Sequence, residues 1–287
     1  MDEDKDFTPF KGRILREDSH APRAPVRRHR LSTRLWHWIN VLVLLVMAMS
    51  GLMIFNAHPR LYWGAYGAND DPAWLEFGAW TDAAGVNHGG ITLLGHTFDT
   101  TGVFGLSRGA DGAELALAFP GWMTLPSTYD LALARSWHLA FAWGLALGLA
   151  AYLLWSLVNG HIRRDLHITA AEWSPRSIAR DVVDHLRFRF HDGAYGVLQK
   201  FAYAGVLFGL LPLMIASGLA LSPGMDAAAP WLLDVLGGRQ SARSLHFLGL
   251  CGIVLFVVVH LAMVLASGPV DQLRGMITGW RREGGRP

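Results

Sequence analysis

The chain has 287 residues, with 25 Lys and Arg, 23 Asp and Glu, 13 His and one Cys. Apolar residues make up 52% and charged residues 17%, against about 25% charged in an ordinary soluble domain, which excludes an intrinsically disordered chain. The lone Cys251 excludes a disulfide framework, Cys-x-x-Cys-His haem attachment and a Cys-ligated iron–sulfur cluster, and a formal net charge of +2 gives no ground for nucleic-acid binding.

Residues 1–34 read as a polar, basic arm. No short apolar core with a small-residue cleavage site is present, so the arm is not read as a signal peptide. A first apolar span follows at 35–55, a second at about 137–158, a third at about 201–221 and a fourth at 245–266, none with an Asp, Glu, Lys or Arg. Each reaches the roughly 20 apolar residues that a bilayer crossing takes. Between the first two spans, residues 56–134 are too long for a plain hairpin connection and carry eight Asp and Glu against Arg60 and Arg108. They read as a compact cap outside the membrane. The loop 161–195 holds one short amphipathic helix around 177–190. Residues 222–242 form a short turn with Pro223 and Gly237-Gly238. A tail covers 269–287. No internal sequence repeat stands out. The expected fold is an all-α membrane protein, a four-helix bundle over 35–268 with a periplasmic cap between its first two helices.

Lys and Arg set the orientation. Nine lie in residues 1–34, seven in 159–200 and four after 266, against five on the other side (Arg60, Arg108, Arg135, Arg239 and Arg243). A split of 20 to 5 puts both termini in the cytoplasm of a bacterial inner-membrane protein.

Ionisable residues within spans are costly and usually functional. Four His qualify: His37, His138, His246 and His260. His246 and His260 lie 14 residues apart, close to four turns, so they share a helix face at a separation of about 21 Å. Entering from outside, His138 matches the depth of His246. His37, entering from the cytoplasm, matches His260 to within about one turn. Two stacked His–His pairs in a bundle suit two b-type haems, each iron taking two imidazoles. Zinc would need more ligands per level, and a proton relay would recruit carboxylates that the spans lack. Arg34, Arg135 and Arg243 flank these histidines as haem-propionate partners or as snorkelling anchors. Trp36, Trp38 and Trp137 read as interfacial belt residues. Gly144, Gly148, Gly205, Gly209, Gly249 and Gly252 fit close helix packing or room for a porphyrin, and Pro212 predicts a kink in the third span. The other histidines (His20, His29, His58, His88, His96, His161, His167, His185 and His191) match no metal signature.

RLWHW at 34–38, RSWH at 135–138 and LH-x13-H ending at His260 resemble the bacterial di-haem superfamily of cytochrome b561, nickel-hydrogenase and formate-dehydrogenase cytochrome b. FDTTGVFG (98–105), PGWMTLPSTYDLA (120–132), NGHIRRDL (159–166) and MITG (276–279) are similar to segments of the thiosulfate-reductase-type cytochrome b subunits. The resemblance implies two haems b, held by His138 with His246 on the periplasmic side and by His37 with His260 on the cytoplasmic side. It implies electron exchange between the quinone pool and a periplasmic molybdopterin oxidoreductase. The formate-dehydrogenase branch keeps a Gly-Gln-Lys segment beside its quinone; here YGVLQKFAY keeps Gln199 and Lys200, with Leu198 in place of the glycine.

The function expected is that of a respiratory electron-transfer subunit. Two rivals stand beside it. One is a self-sufficient quinone oxidoreductase that takes electrons from a small molecule such as superoxide. The other is a haem-free transporter or assembly factor.

Overall fold

A computed structural model describes residues 26–27, 29–109, 111–160, 172–186 and 197–281. Four long helices cross the molecule. They are α1 (Leu31–Phe55), α2 (Leu131–Val158), a broken third helix spanning Val197–Leu221, and α8 (Arg239–Ala266). All four are long and apolar enough to cross a membrane, and they expose residues such as Leu147, Leu154 and Leu255. Backbone donors cannot go unpaired in lipid, so helices are the form these segments take.

The bundle consists of two antiparallel pairs. α1 packs on α2, and the second half of the third helix packs on α8. Val43, Leu145, Leu149, Leu211, Met214 and Ile253 close the apolar centre. α2 starts on an Asp130 side chain that accepts from the Leu133 amide at 2.9 Å, a side-chain cap for an otherwise orphan donor. The third helix consists of α4 (Val197–Gly205), a π-helical turn at Val206–Leu210 and α5 (Leu211–Leu221). The break expected at Pro212 takes this form. Proline has no N–H and its ring collides with the carbonyl four residues back, and a widened turn just before it relieves the clash.

The cap is folded, and it is β-structured. β2 (Arg60–Leu61), β3 (Leu75–Thr81), β4 (Asn87–Leu93) and β5 (His96–Asp99) form one antiparallel sheet in chain order. In β3, Leu75 and Phe77 face inward with Phe55, Phe119 and Leu61. The alternation then fades, because Gly78, Gly89 and Gly90 occupy the strand centres. There a second stretch of backbone crosses the sheet. A Cβ on Gly89 would sit 2.3 Å from the Leu106 amide, and one on Gly105, at φ +78°, would sit 2.2 Å from the Gly78 carbonyl. Glycine in a strand marks this kind of close backbone approach.

The cap is pinned to the start of α8. Trp74 Nε1 donates to Ser244 Oγ at 3.0 Å, and Ser244 donates to the Tyr62 carbonyl at 2.6 Å. The Gly64 amide donates to Ser241 Oγ at 2.7 Å. Asn56, just past α1, exchanges two hydrogen bonds with the backbone of Phe119, at 3.0 and 2.8 Å. Phe247 stacks on Phe55 at 4.8 Å, so aromatic packing is continuous from bundle to cap. Two short helices, α6 (Pro223–Ala228) and α7 (Trp231–Val235), fill the 222–242 connection.

At the opposite end residues 26–27 and 280–281 meet. β1 (Val26–Arg27) pairs with β6 (Trp280–Arg281). The amphipathic helix α9 (Pro269–Thr278) lies against the start of α1. The expected amphipathic segment near 177–190 is α3 (Pro175–Leu186); residues 187–190 and most of the basic arm lie outside the described residues.

Candidate haem site

The four histidines come together as two pairs inside the bundle. The ring centroids of His138 and His246 are 6.2 Å apart, and those of His37 and His260 are 6.3 Å apart. His246 and His260 stand on one unbroken helix, so the two pairs are stacked about 21 Å apart along it. The separation in each pair suits one metal ion held between the two rings. Two imidazoles on opposite sides of a first-row ion, with bonds of about 2.0–2.1 Å and ring centres about 1.1 Å behind the nitrogens, stand about 6 Å apart.

Hydrogen bonds fix the tautomer of the cap-side pair. Ser50 Oγ lies 3.1 Å from His138 Nδ1, and the Met47 carbonyl lies 3.1 Å from the same nitrogen. A carbonyl only accepts, so this Nδ1 carries the proton. Ser217 Oγ lies 2.9 Å from His246 Nδ1. Its own proton goes to the Leu213 carbonyl at 2.6 Å, so here too the imidazole donates. Nδ1–H engagement leaves the Nε2 lone pair free, the form a metal-ligating histidine takes. The residue after each serine is glycine. A Cβ on Gly51 would approach His138 Cε1 to 3.3 Å, and one on Gly218 would approach His246 Cε1 to 3.3 Å. Serine thus holds each ring and glycine clears its edge. The pair at the other end is held differently. His37 Nδ1 is buried without a hydrogen-bond partner among the described residues, and His260 stacks on Phe256 at 5.8 Å. The spacing of both pairs, and the tautomer and cleared ring edges of the cap-side pair, fit haem held between imidazoles.

The Ser-Gly steps were missed in the sequence, and a signal for them exists. Ser-Gly-Leu occurs at 50–52 and at 217–219, and Arg-Ser-x-His at 135–138 and at 243–246. No repeat stands out along the chain; the structure exposes one, because each Ser-Gly-Leu helix packs on the Arg-Ser-x-His helix that follows it. The repeat is broken at the other level. Counting from the aligned histidines, Tyr152 stands where His260 stands in the second pair. Tyr152 stacks on Trp36 at 5.1 Å and 5°. Trp36 is therefore a packing residue between α1 and α2, where a Cβ on Gly148 would meet its ring at 2.7 Å, and not a belt residue.

The flanking cations have definite partners. Arg34 donates to the carbonyls of Met276 and Ile277, and Trp38 Nε1 donates to Met276 at 3.2 Å. Arg243 donates to the His58 carbonyl and lies 5.8 Å from the Phe55 ring centre. Arg135 is exposed. Lys200 forms an ion pair with Glu172 at 2.7 Å, and the amide of Leu198, next to Gln199, donates to buried Asp181 at 2.7 Å. Of the six glycines expected to line helix contacts or a porphyrin, Gly148, Gly249 and Gly252 abut side chains, whereas Gly144, Gly205 and Gly209 face open space.

The cap holds a polar cluster of its own. His88 lies 3.2 Å from both Asp82 and Asp99 and stacks on Trp80 at 5.4 Å. The hydrogen bond to Asp82, with that to Asp99, raises the His88 pKa above its ordinary value. Hydrogen bonds from the Val86 amide and His88 lower that of Asp82. Nearer the bundle, burial and the Arg243 charge lower that of His58.

The chain is similar to a putative protein-methionine-sulfoxide reductase subunit, YedZ1, of Azospira oryzae, 32% identical over 134 residues, which is 46% of this chain and 64% of that protein. It thus spans a little under two thirds of that relative. It is 22% identical to a probable Ni/Fe-hydrogenase B-type cytochrome subunit of Cupriavidus necator over 86% of this chain and 83% of that one. A subunit of the same description from Azotobacter vinelandii is 25% identical over 53% and 70%. No solved structure matches the chain. The family model described as prokaryotic cytochrome b561 matches residues 28–279, which takes in all four histidines, both Ser-Gly steps and the cap. The chain belongs to the prokaryotic cytochrome b561 family, the membrane-embedded b-type cytochromes.

Proposed function

We propose that the chain is the membrane subunit of an oxidoreductase complex and carries electrons between a redox partner at the cap and the quinone pool at the opposite end. The observation that supports this best is the pair of imidazole pairs, at 6.2 and 6.3 Å, stacked along α8. His138 and His246 hold one haem b near the cap; His37 and His260 hold a second near the chain termini. When bound, the haems supply one-electron redox chemistry, and the protein supplies ligands, spacing and a water-poor surround. Held by two imidazoles each, such haems would favour electron transfer over oxygen binding.

The 20-to-5 distribution of Lys and Arg supports a cytoplasmic location for both termini and a periplasmic cap in a bacterial inner membrane. The acidic cap then faces the partner, for which we propose a periplasmic molybdopterin oxidoreductase. Hydrogenase and methionine-sulfoxide reductase partners, named for the relatives, are the alternatives. Gln199 and Lys200 are proposed to border the quinone; Tyr203, three residues on from Lys200, has its ring 6.4 Å from that of Phe256, which stacks on His260. Arg34, Arg135 and Arg243 are proposed to stand near haem propionates, Arg34 and Arg243 with the donors their backbone contacts leave over.

The test is an optical redox titration of the purified full-length chain with haem quantified per chain. Two reducible b-type haems, re-oxidised or reduced by a quinone or quinol analogue, are expected. Fewer than two would overturn the ligand assignment. Two haems inert to quinones would overturn the quinone link alone. Reduction by superoxide without any partner would favour the self-sufficient enzyme.

A further inference from the structure

We propose that Ser50 and Ser217 are positioning residues that make the two haem sites unequal, holding the cap-side site at the lower reduction potential. The proposal rests on the ligand assignment given above. Both serines are fully buried. A hydroxyl has one proton, and each serine gives it to its own helix: Ser50 to the Val46 carbonyl at 2.6 Å and Ser217 to the Leu213 carbonyl at 2.6 Å. Each oxygen is left as an acceptor aimed at an imidazole Nδ1–H.

An Nδ1–H that donates makes its ring more imidazolate-like and a stronger donor at Nε2. Stronger donation stabilises the oxidised iron, and second-shell hydrogen bonding is one of the protein's means of setting haem potential. In a buried, low-dielectric site the effect is not screened away. Both cap-side ligands receive this treatment, because the Ser-Gly step occurs once in each helix pair. At the other level His37 Nδ1 is buried without an acceptor among the described residues. One protein thus presents one level at which both ligands donate to a serine and another at which His37 has no such acceptor among the described residues.

The experiment is a spectroscopic redox titration of the full-length haem-loaded chain, comparing the parent with Ser50→Ala, Ser217→Ala, the double variant and Ser217→Thr. In the parent, two components are expected. His246→Ala should abolish the lower-potential one. Each serine-to-alanine change should raise the reduced-to-oxidised ratio of the cap-side haem at fixed potential severalfold, up to about tenfold (about 59 mV for a one-electron couple). The termini-side haem should be unmoved, and Ser217→Thr, which keeps the hydroxyl, should stay near the parent. An unchanged cap-side midpoint in the double variant at full haem occupancy would overturn the proposal. So would finding that the haem surviving His246→Ala is the lower-potential one, a result available even where a serine variant loses haem. A parent chain with fewer than two haems would instead remove the ligand assignment itself.

Discussion

Ser217 Oγ stands 2.9 Å from His246 Nδ1, and Ser50 Oγ stands 3.1 Å from His138 Nδ1. The two contacts are the same device used twice: a serine one turn past the carbonyl that takes its proton, followed by a glycine that leaves room for the ring. Each antiparallel helix pair contributes one such imidazole, and the two meet at 6.2 Å beneath the cap.

Removing one ligand should therefore empty one level and spare the other. His246→Ala is expected to lower haem content from two per chain to one and to remove the cap-side spectral component. His260→Ala should remove the other. Haem quantification with a low-temperature optical spectrum of each variant checks this; two haems retained in either variant would contradict the pairing.

The cleared ring edges give a second prediction. Gly218→Val and Gly51→Val put branched carbon against an imidazole where even a Cβ would come to 3.3 Å. Overpacking of this kind costs about 1–3 kcal/mol, so cap-side haem retention on heating should fall. Gly144→Val, where a Cβ meets nothing within 4 Å, is the matched control and should be near neutral. Equal loss in all three would mean that the space beside the rings is not what matters.

The cap hairpin should be pH-sensitive in a defined window. The folded pKa of His88 is raised by Asp82 and Asp99, so its stabilisation is fully present below the ordinary histidine value and fades as pH rises through the raised one. Those of Asp82 and Asp99 are lowered, so theirs is present above the ordinary carboxylate value and fades as pH falls. Protection of the β3–β4 amides from hydrogen exchange, corrected for intrinsic rate, should peak at roughly pH 4 to 6.5. His88→Gln should flatten its alkaline side; a profile unchanged by that substitution would rule the cluster out as the cause.

At the other end, Arg34 and Trp38 tie the last carbonyls of α9 to α1. Hydrogen bonds from a charged donor contribute about 1.5–3 kcal/mol when sheltered, and less at this half-buried place. Arg34→Ala should speed proteolytic cleavage between Ser267 and Gly279 severalfold and weaken retention of the His37–His260 haem, whose propionate it is proposed to meet. Faster cleavage with the haem spectrum unchanged would remove Arg34 from that haem.

The sequence by itself determined the membrane bundle and the histidine quartet. Span length is imposed by bilayer thickness, and the 14-residue step from His246 to His260 returns to one helix face whatever surrounds it. Both are local, one-dimensional facts. Tertiary structure alone decided the rest. In the glycine-rich cap, Gly89 admits the backbone of residues 104–106, and Gly105 lies against the backbone of Gly78 and Gly90, a partner the strand pattern does not announce. Trp36 turned inward because Gly148 and Tyr152 on another helix offered it a slot. Arg34 and Arg243 found main-chain carbonyls more than 180 residues away in sequence. The hydroxyls of Ser50 and Ser217 matter through rings on neighbouring helices, and only packing brings acceptor and donor together, since a short side chain has no reach beyond what touches it.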